Sequence, residues 1–270
     1  MSSRSSVSRL SFGMLLVTMG IVYGDIGTSP LYVMAAIVGS RPISTELIYG
    51  GVSCVFWTLT LITSVKYIML VLRADNNGEG GVFALYALVR KRAKWLVIPA
   101  IIGGSTLLSD GMLTPAISVS SAIEGLRIID PDLNTVLIVI GIIALLFIFQ
   151  RAGTQIVGNA FGPIMLVWFL MLGTLGFTQI LHHPQILHAL NPFYAFQLLR
   201  NYPGGYWLLG AVFLCTTGVD ALYSDLGHCG KINIRVSWIF VKICLLLNYF
   251  GQAAWLMQFP NMARSQLPVS

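Results

Sequence analysis

Charged side chains are scarce in this chain of 270 residues: Asp, Glu, Lys and Arg together supply 10% of it, and only 10 positions are acidic. With 56% apolar residues and a mean hydropathy of +0.80, the sequence has too little polar material to clothe an ordinary soluble domain, so the solvent must be lipid. Cysteine is also sparse. Cys54, Cys215, Cys229 and Cys244 have no paired spacing and are expected as free thiols. Three of the four histidines, His182, His183 and His188, share one loop between apolar runs and are read as an ordinary polar loop without a metal role. There is no low-complexity tract and no charge run that marks a linker. Nor is there a nucleophile paired with a base or a cofactor motif, so a soluble enzyme is unsupported and no cofactor is expected. One membrane domain is expected over residues 1–257, with a short tail at 258–270.

What is abundant is apolar sequence long enough to cross a bilayer, and in lipid such stretches must be helices that satisfy their own backbone hydrogen bonds. Seven are read, at residues 10–38, 47–72, 96–122, 133–150, 157–181, 206–228 and 234–257. The first continues far past a signal-peptide core, with Gly24, Asp25 and Pro30 where cleavage would be expected, so it is read as retained. Orientation follows from Lys and Arg, which cytoplasmic loops hold in excess. An N-terminus inside leaves ten of them on the cytoplasmic side (Arg4, Arg9, Arg73, Arg90, Lys91, Arg92, Lys94, Arg151, Lys231 and Arg235). Four remain outside: Arg41, Arg127, Arg200 and Arg264. The formal charge of +6 is thereby explained by topology, without nucleic-acid binding.

The loop after the second run contains Arg-Ala-Asp-Asn-Asn-Gly-Glu-Gly-Gly at residues 73–81. A calcium loop would accept Asp75, Asn77 and Glu79 at its first, third and fifth positions, but Tyr86 stands where the bidentate Glu is required. A phosphate loop would need Gly-Lys followed by Ser or Thr, and Gly80-Gly81-Val82 lacks that pair. The segment is read as a turn.

Ionisable residues within membrane spans are costly unless paired, hydrated or bound to an ion, so Asp25, Asp110, Glu124 and Asp220 are candidates for function. Asp25 lies mid-span among Gly24, Gly27 and Pro30, which weaken a helix and predict a break that exposes carbonyl oxygens. In the third run Asp110, Thr114 and Ser118 recur every four residues and share one helical face, beside a kink expected at Pro115. The sixth run is interrupted by Cys-Thr-Thr-Gly-Val-Asp-Ala-Leu-Tyr-Ser-Asp-Leu-Gly at residues 215–227. Two glycine-broken, acid-bearing helices five spans apart point to an inverted repeat. Lys66 can snorkel to an interface; Lys242 lies deeper, where a salt bridge and a water-lined position are alternative explanations. Hard oxygen groups without soft ligand clusters favour a monovalent cation, with potassium, sodium and protons left open.

Four segments resemble the KUP (HAK/KT) family of low-affinity potassium uptake transporters. They are Gly-Ile-Val-Tyr-Gly-Asp-Ile-Gly-Thr-Ser-Pro-Leu-Tyr at 20–32, Ala-Asp-Asn-Asn-Gly-Glu-Gly-Gly-Val-Phe-Ala-Leu-Tyr at 74–86, Ser-Asp-Gly-Met-Leu-Thr-Pro-Ala-Ile-Ser at 109–118 and Asn-Tyr-Phe-Gly-Gln at 248–252. The similarity runs from about residue 10 to 257 in family order and spacing. The resemblance implies an all-α membrane protein of the amino acid-polyamine-organocation (APC/LeuT-like) inverted-repeat type, here incomplete, with helices one and six broken around a central site. It implies potassium uptake by symport with protons in the bacterial inner membrane. By position it suggests Asp25 and Tyr32, Asp110, Thr114 and Ser118, and Thr216 or Thr217 around potassium, with Glu124 and Asp220 as acids needed for transport or proton coupling. Family members usually carry Glu at the position of Asp220 and an apolar residue at that of Lys242. They also have roughly twelve helices, so a homodimer or a C-terminal half on another chain would be the partner that completes the scaffold. Two alternatives stand beside this reading: a truncated, transport-incompetent fragment or partner subunit, and an amino-acid permease of the same fold. Asp25 argues against the permease, whose helix-one amides would bind a carboxylate.

Overall fold

Apolar runs interrupted at glycine and proline set the order of helices in the computed structural model, which describes residues 10–128, 132–150 and 154–259. Helices α1 (Phe12–Val22) and α2 (Gly24–Thr28) meet at Tyr23 with a bend of 68° between the two arms. A tight turn at Ser29–Leu31 leads into α3 (Val33–Val38). Helix α4 (Thr45–Thr58) starts at Ser44, whose hydroxyl accepts the Leu47 amide at 3.2 Å, and continues in wider π-type turns over Leu59–Leu70 to Arg73. Then come α5 (Val82–Val89), α6 (Val97–Glu124), α7 (Thr135–Gln150), α8 (Thr154–His182) and α9 (Pro192–Asn201). The sixth run divides into α10 (Gly205–Phe213), α11 (Val219–Ser224) and α12 (Leu226–Cys229), and α13 (Lys231–Leu256) closes the described chain. There is no strand among the described residues. Pro115 does not interrupt α6, which runs through it as one helix.

Five helices are long and apolar enough to cross a membrane, and six spans result when the bent pair at Tyr23 counts as one. The sequence reading had seven. The seventh is α7, as apolar as any span, whose 16 described residues rise about 24 Å and which is flanked on both sides by stretches outside the described residues. The chain is a multi-pass helical membrane protein. The tail expected at 258–270 lies almost wholly outside the described residues.

Helices α8 and α13 form the tightest crossing, because glycines remove the side chains that would hold them apart. A methyl group on Gly251 would sit 2.4 Å from the Gly176 Cα, and one on Gly176 would sit 2.2 Å from the Leu247 carbonyl oxygen. Such small-residue contacts let membrane helices approach backbone to backbone. Tyr23, fully buried at the bend, donates its hydroxyl to the Ile234 carbonyl at 2.6 Å and stacks on Trp238 with ring centroids 6.0 Å apart. The first helix break is thereby pinned to α13. Helix α6 lies at the periphery, with Leu108 and Met112 exposed, and reaches the core through the buried Thr114. All four cysteines are free and buried.

Candidate functional site

The first break is stabilised by side chains that take up its loose carbonyls. Thr28 and Ser29 hydroxyls both donate to the Asp25 carbonyl, at 3.1 and 3.0 Å. Trp168 Nε1 of α8 donates to the Gly27 carbonyl at 2.9 Å, and Gln252 Nε2 of α13 donates to the Pro30 carbonyl at 2.9 Å. Gln252 is held by Asn248, whose side-chain oxygen accepts from Gln252 Nε2 at 2.7 Å while its amide donates to the Leu172 carbonyl at 3.2 Å. The segment at 248–252 therefore braces the break. Replacing Gln252 by Leu leaves a half-buried carbonyl without its donor. The expected loss is about 1–3 kcal/mol, read as a lower midpoint of thermal unfolding in detergent, with Gln252→Glu, an acceptor that cannot donate to the carbonyl, losing at least as much.

The second break lies between α10 and α11. Thr217 is extended and Gly218 adopts φ 86°, a left-handed conformation that suits glycine. The same glycine brings the two breaks into contact, since a Cβ there would lie 2.7 Å from the Asp25 Cβ. The Tyr32 hydroxyl lies 3.2 Å from the Ser29 hydroxyl. From the third side comes α6: Thr114 donates to Asp110 Oδ1 at 2.9 Å, and the Ser118 and Thr28 hydroxyls are 3.0 Å apart. An open cavity of about 450 Å³ between α6 and the second break is lined by Asp110, Thr216, Thr217 and Asp220, with Thr106 and Ser109 beside them.

Seven of the residues singled out in the sequence, Asp25, Tyr32, Asp110, Thr114, Ser118, Thr216 and Thr217, therefore fall on three segments that touch. Asp220 is exposed at the cavity wall, and Tyr67 from the π-type stretch donates its hydroxyl to Asp220 Oδ1. Glu124 stands apart. It is exposed at the last turn of α6, about 15 Å along the helix axis from Thr114, with no hydrogen bond or ion pair among the described residues. Sequence reasoning missed Thr28, Tyr67, Trp168 and Gln252. For Gln252 a signal was present, an amide side chain in an apolar helix that must find a partner. The cluster presents carboxylate, hydroxyl and phenol oxygens and no sulfur or imidazole, a donor set suited to a hard, weakly polarising cation. Among the described residues no group of His, Cys, Asp and Glu forms a metal centre.

The loop at 74–81 does more than reverse the chain. Asn76 and Glu79 pair through their backbones, with Asn77 and Gly78 at positive φ closing the turn. It is tied to the segment behind the second break: Lys231 forms an ion pair with Asp75, Tyr223 donates its hydroxyl to the Ala74 carbonyl, and Gly80 lies flat against the Tyr223 carbonyl. The Lys231 ammonium holds the Asp75 carboxyl below its ordinary 3.8. A carboxylate lowered on folding stabilises the folded state above its unfolded pKa, and that contribution disappears as pH falls through the lower native value. Hydrogen-exchange protection of the Asn76 and Glu79 amides, corrected for intrinsic rates, is therefore expected to be flat from pH 7 to about 5. It declines on further acidification, and in Asp75→Asn it is reduced from pH 7 to about 5 and meets the wild-type value at the acid end.

These features define a multi-pass helical membrane protein with oxygen-bearing turns of two helix breaks pressed together against a third helix. The chain belongs to the K+ potassium transporter family, whose integral membrane domain matches residues 12–267. It is 58% identical over 270 residues to a protein of Flavobacterium johnsoniae named "Probable potassium transport system protein Kup", covering 98% of this chain and 41% of that one. Proteins of the same name from Cytophaga hutchinsonii and Latilactobacillus sakei are 60% and 51% identical over 93% and 97% of this chain, and 39% and 41% of their own lengths. The chain thus spans about two fifths of the length of these relatives. No solved structure matches it.

Proposed function

We propose that the chain forms the cation-binding part of a potassium uptake transporter that carries potassium inward together with protons. The observation that carries this reading is the contact of the two helix breaks at Asp25 and Gly218, with the Asp110, Thr114 and Ser118 face of α6 alongside. A potassium ion there would take oxygens from Asp25, Tyr32, Asp110, Thr114, Ser118 and Thr216 or Thr217. A carboxylate at membrane depth is costly unless a cation or a proton accompanies it, which is a physical basis for coupling the two. Asp220 and Glu124 are the further acids assigned to proton coupling. The names of the relatives support potassium as the substrate.

In this reading the protein lies in the bacterial inner membrane with its N-terminus and the Arg73, Lys231 and Arg235 end in the cytoplasm. It folds as one repeat and the start of a second in an APC/LeuT-like plan. A second reading is favoured by the chain's share of its relatives' length: the 270 residues hold the site but move the ion only when further helices, or a second copy, complete the scaffold. Rubidium uptake by potassium-auxotrophic cells expressing the chain separates the two. Saturable uptake supports transport by the chain itself; a well-inserted chain without uptake supports the second reading.

A further inference from the structure

A second groove lies away from this site, between the π-type continuation of α4 and the first half of α13. It has a volume of about 490 Å³ and gathers three cationic side chains, Arg73, Arg235 and Lys242. Its walls are apolar, formed by Ile68, Met69, Trp238, Ile239 and Ile243. Among the described residues no carboxylate lines it, and the ion pairs of Lys231 with Asp75 and His228 with Asp225 use none of its cations. Arg235 spends its Nε on the Ile68 carbonyl at 3.3 Å, and Trp238 donates to Ser64 at 3.0 Å, which fixes the indole as a wall.

Three positive charges without an anion are unfavourable at the edge of a bilayer, most of all for Lys242, which lies on a membrane-spanning helix. Their placement suits one kind of counter-ion. Arg235 and Lys242 are seven residues apart on one face of α13, about 10.5 Å along the axis. The lysine stem can reach toward the end where Arg73 and Arg235 lie. Beside them Met69, Ile239 and Ile243 are 53%, 63% and 54% exposed. A ligand that satisfies both halves of the groove must carry a phosphate at the basic end and alkyl chains along the isoleucines.

The geometry points to a binding site for an anionic phospholipid, with its phosphodiester held by Arg73, Arg235 and Lys242 and an acyl chain laid over Ile239 and Ile243. Free phosphate would answer the charges but leave the apolar rail unused. The assignment is independent of the ion site, since none of the groove's residues lines that cavity.

The test uses the purified, delipidated chain in detergent, with bound lipid counted by native mass spectrometry. Phosphatidylglycerol is compared with phosphatidylcholine of the same acyl chains, and inorganic phosphate is added as competitor. Phosphatidylglycerol is expected to be retained in preference, and Arg73→Gln with Lys242→Gln to weaken that preference by on the order of fivefold per charge. Lys242→Arg should keep it, and circular dichroism monitors the fold of each variant. Equal retention of the two lipids by the wild-type chain would overturn the proposal, and that comparison needs no variant to fold. It would also be overturned by full preference in the folded double glutamine variant, or by displacement of the lipid by millimolar phosphate.

Discussion

Asp25→Asn is expected to weaken rubidium binding by the purified chain by about 30- to 1000-fold while leaving the helix content and unfolding midpoint close to wild type. Asparagine keeps the size and one oxygen of the aspartate and removes its charge. A unit charge about 4 Å from a cation contributes on the order of 4 kcal/mol at an effective dielectric constant of 20, and part of this is retained through the remaining carbonyl. A loss of about 2–4 kcal/mol gives the quoted range at roughly 1.4 kcal/mol per tenfold. The fold is spared because the bonds that shape the first break use the Asp25 carbonyl rather than its carboxylate, through the hydroxyls of Thr28 and Ser29. Asp25→Glu restores the charge and is expected to recover part of the affinity.

The second large effect is expected from Gly218→Ala. Two penalties add there. An L-residue at φ 86° costs roughly 1–2 kcal/mol, and the new methyl would stand 2.7 Å from the Asp25 Cβ, pushing the second break away from the first. Rubidium affinity should fall at least about tenfold, since a displacement of this kind at a site of fixed geometry carries 10- to 100-fold effects. Gly204→Ala separates the two penalties. Gly204 has a similar φ of 74°, but its Cβ would meet only Trp207 at 4.0 Å, far from the site. It should lower the unfolding midpoint while leaving binding intact. A Gly218→Ala chain that binds like wild type would mean that contact between the breaks is incidental.

Much of this site was legible because it depends on local rules. Gly24, Gly27 and Pro30 weaken one helix and Gly218 another, and the steps of four from Asp110 to Ser118 put three oxygens on one face whatever that face meets. The structure adds the meeting itself. Residues such as Trp168 and Gln252 bond to the first break from 141 and 222 residues away, which no local periodicity can encode. The same holds for Tyr67 on Asp220, 153 residues apart. Glu124 shows the reverse limit: sequence marks the acid but not its distance from the others, and the helix carries it to an exposed end away from the three segments. Lys242, without an explanation in sequence, acquires one only when Arg73 and Arg235 are seen around the same groove.

The account rests on a cation site where the two breaks meet, and the most direct test is equilibrium binding of radioactive rubidium to the purified chain in detergent, at constant ionic strength, for wild type and Asp25→Asn. Saturable binding that unlabelled potassium displaces, and that is lost in a folded Asp25→Asn chain, is the predicted result. A folded wild-type chain without saturable binding, or equal binding by the two, would contradict it.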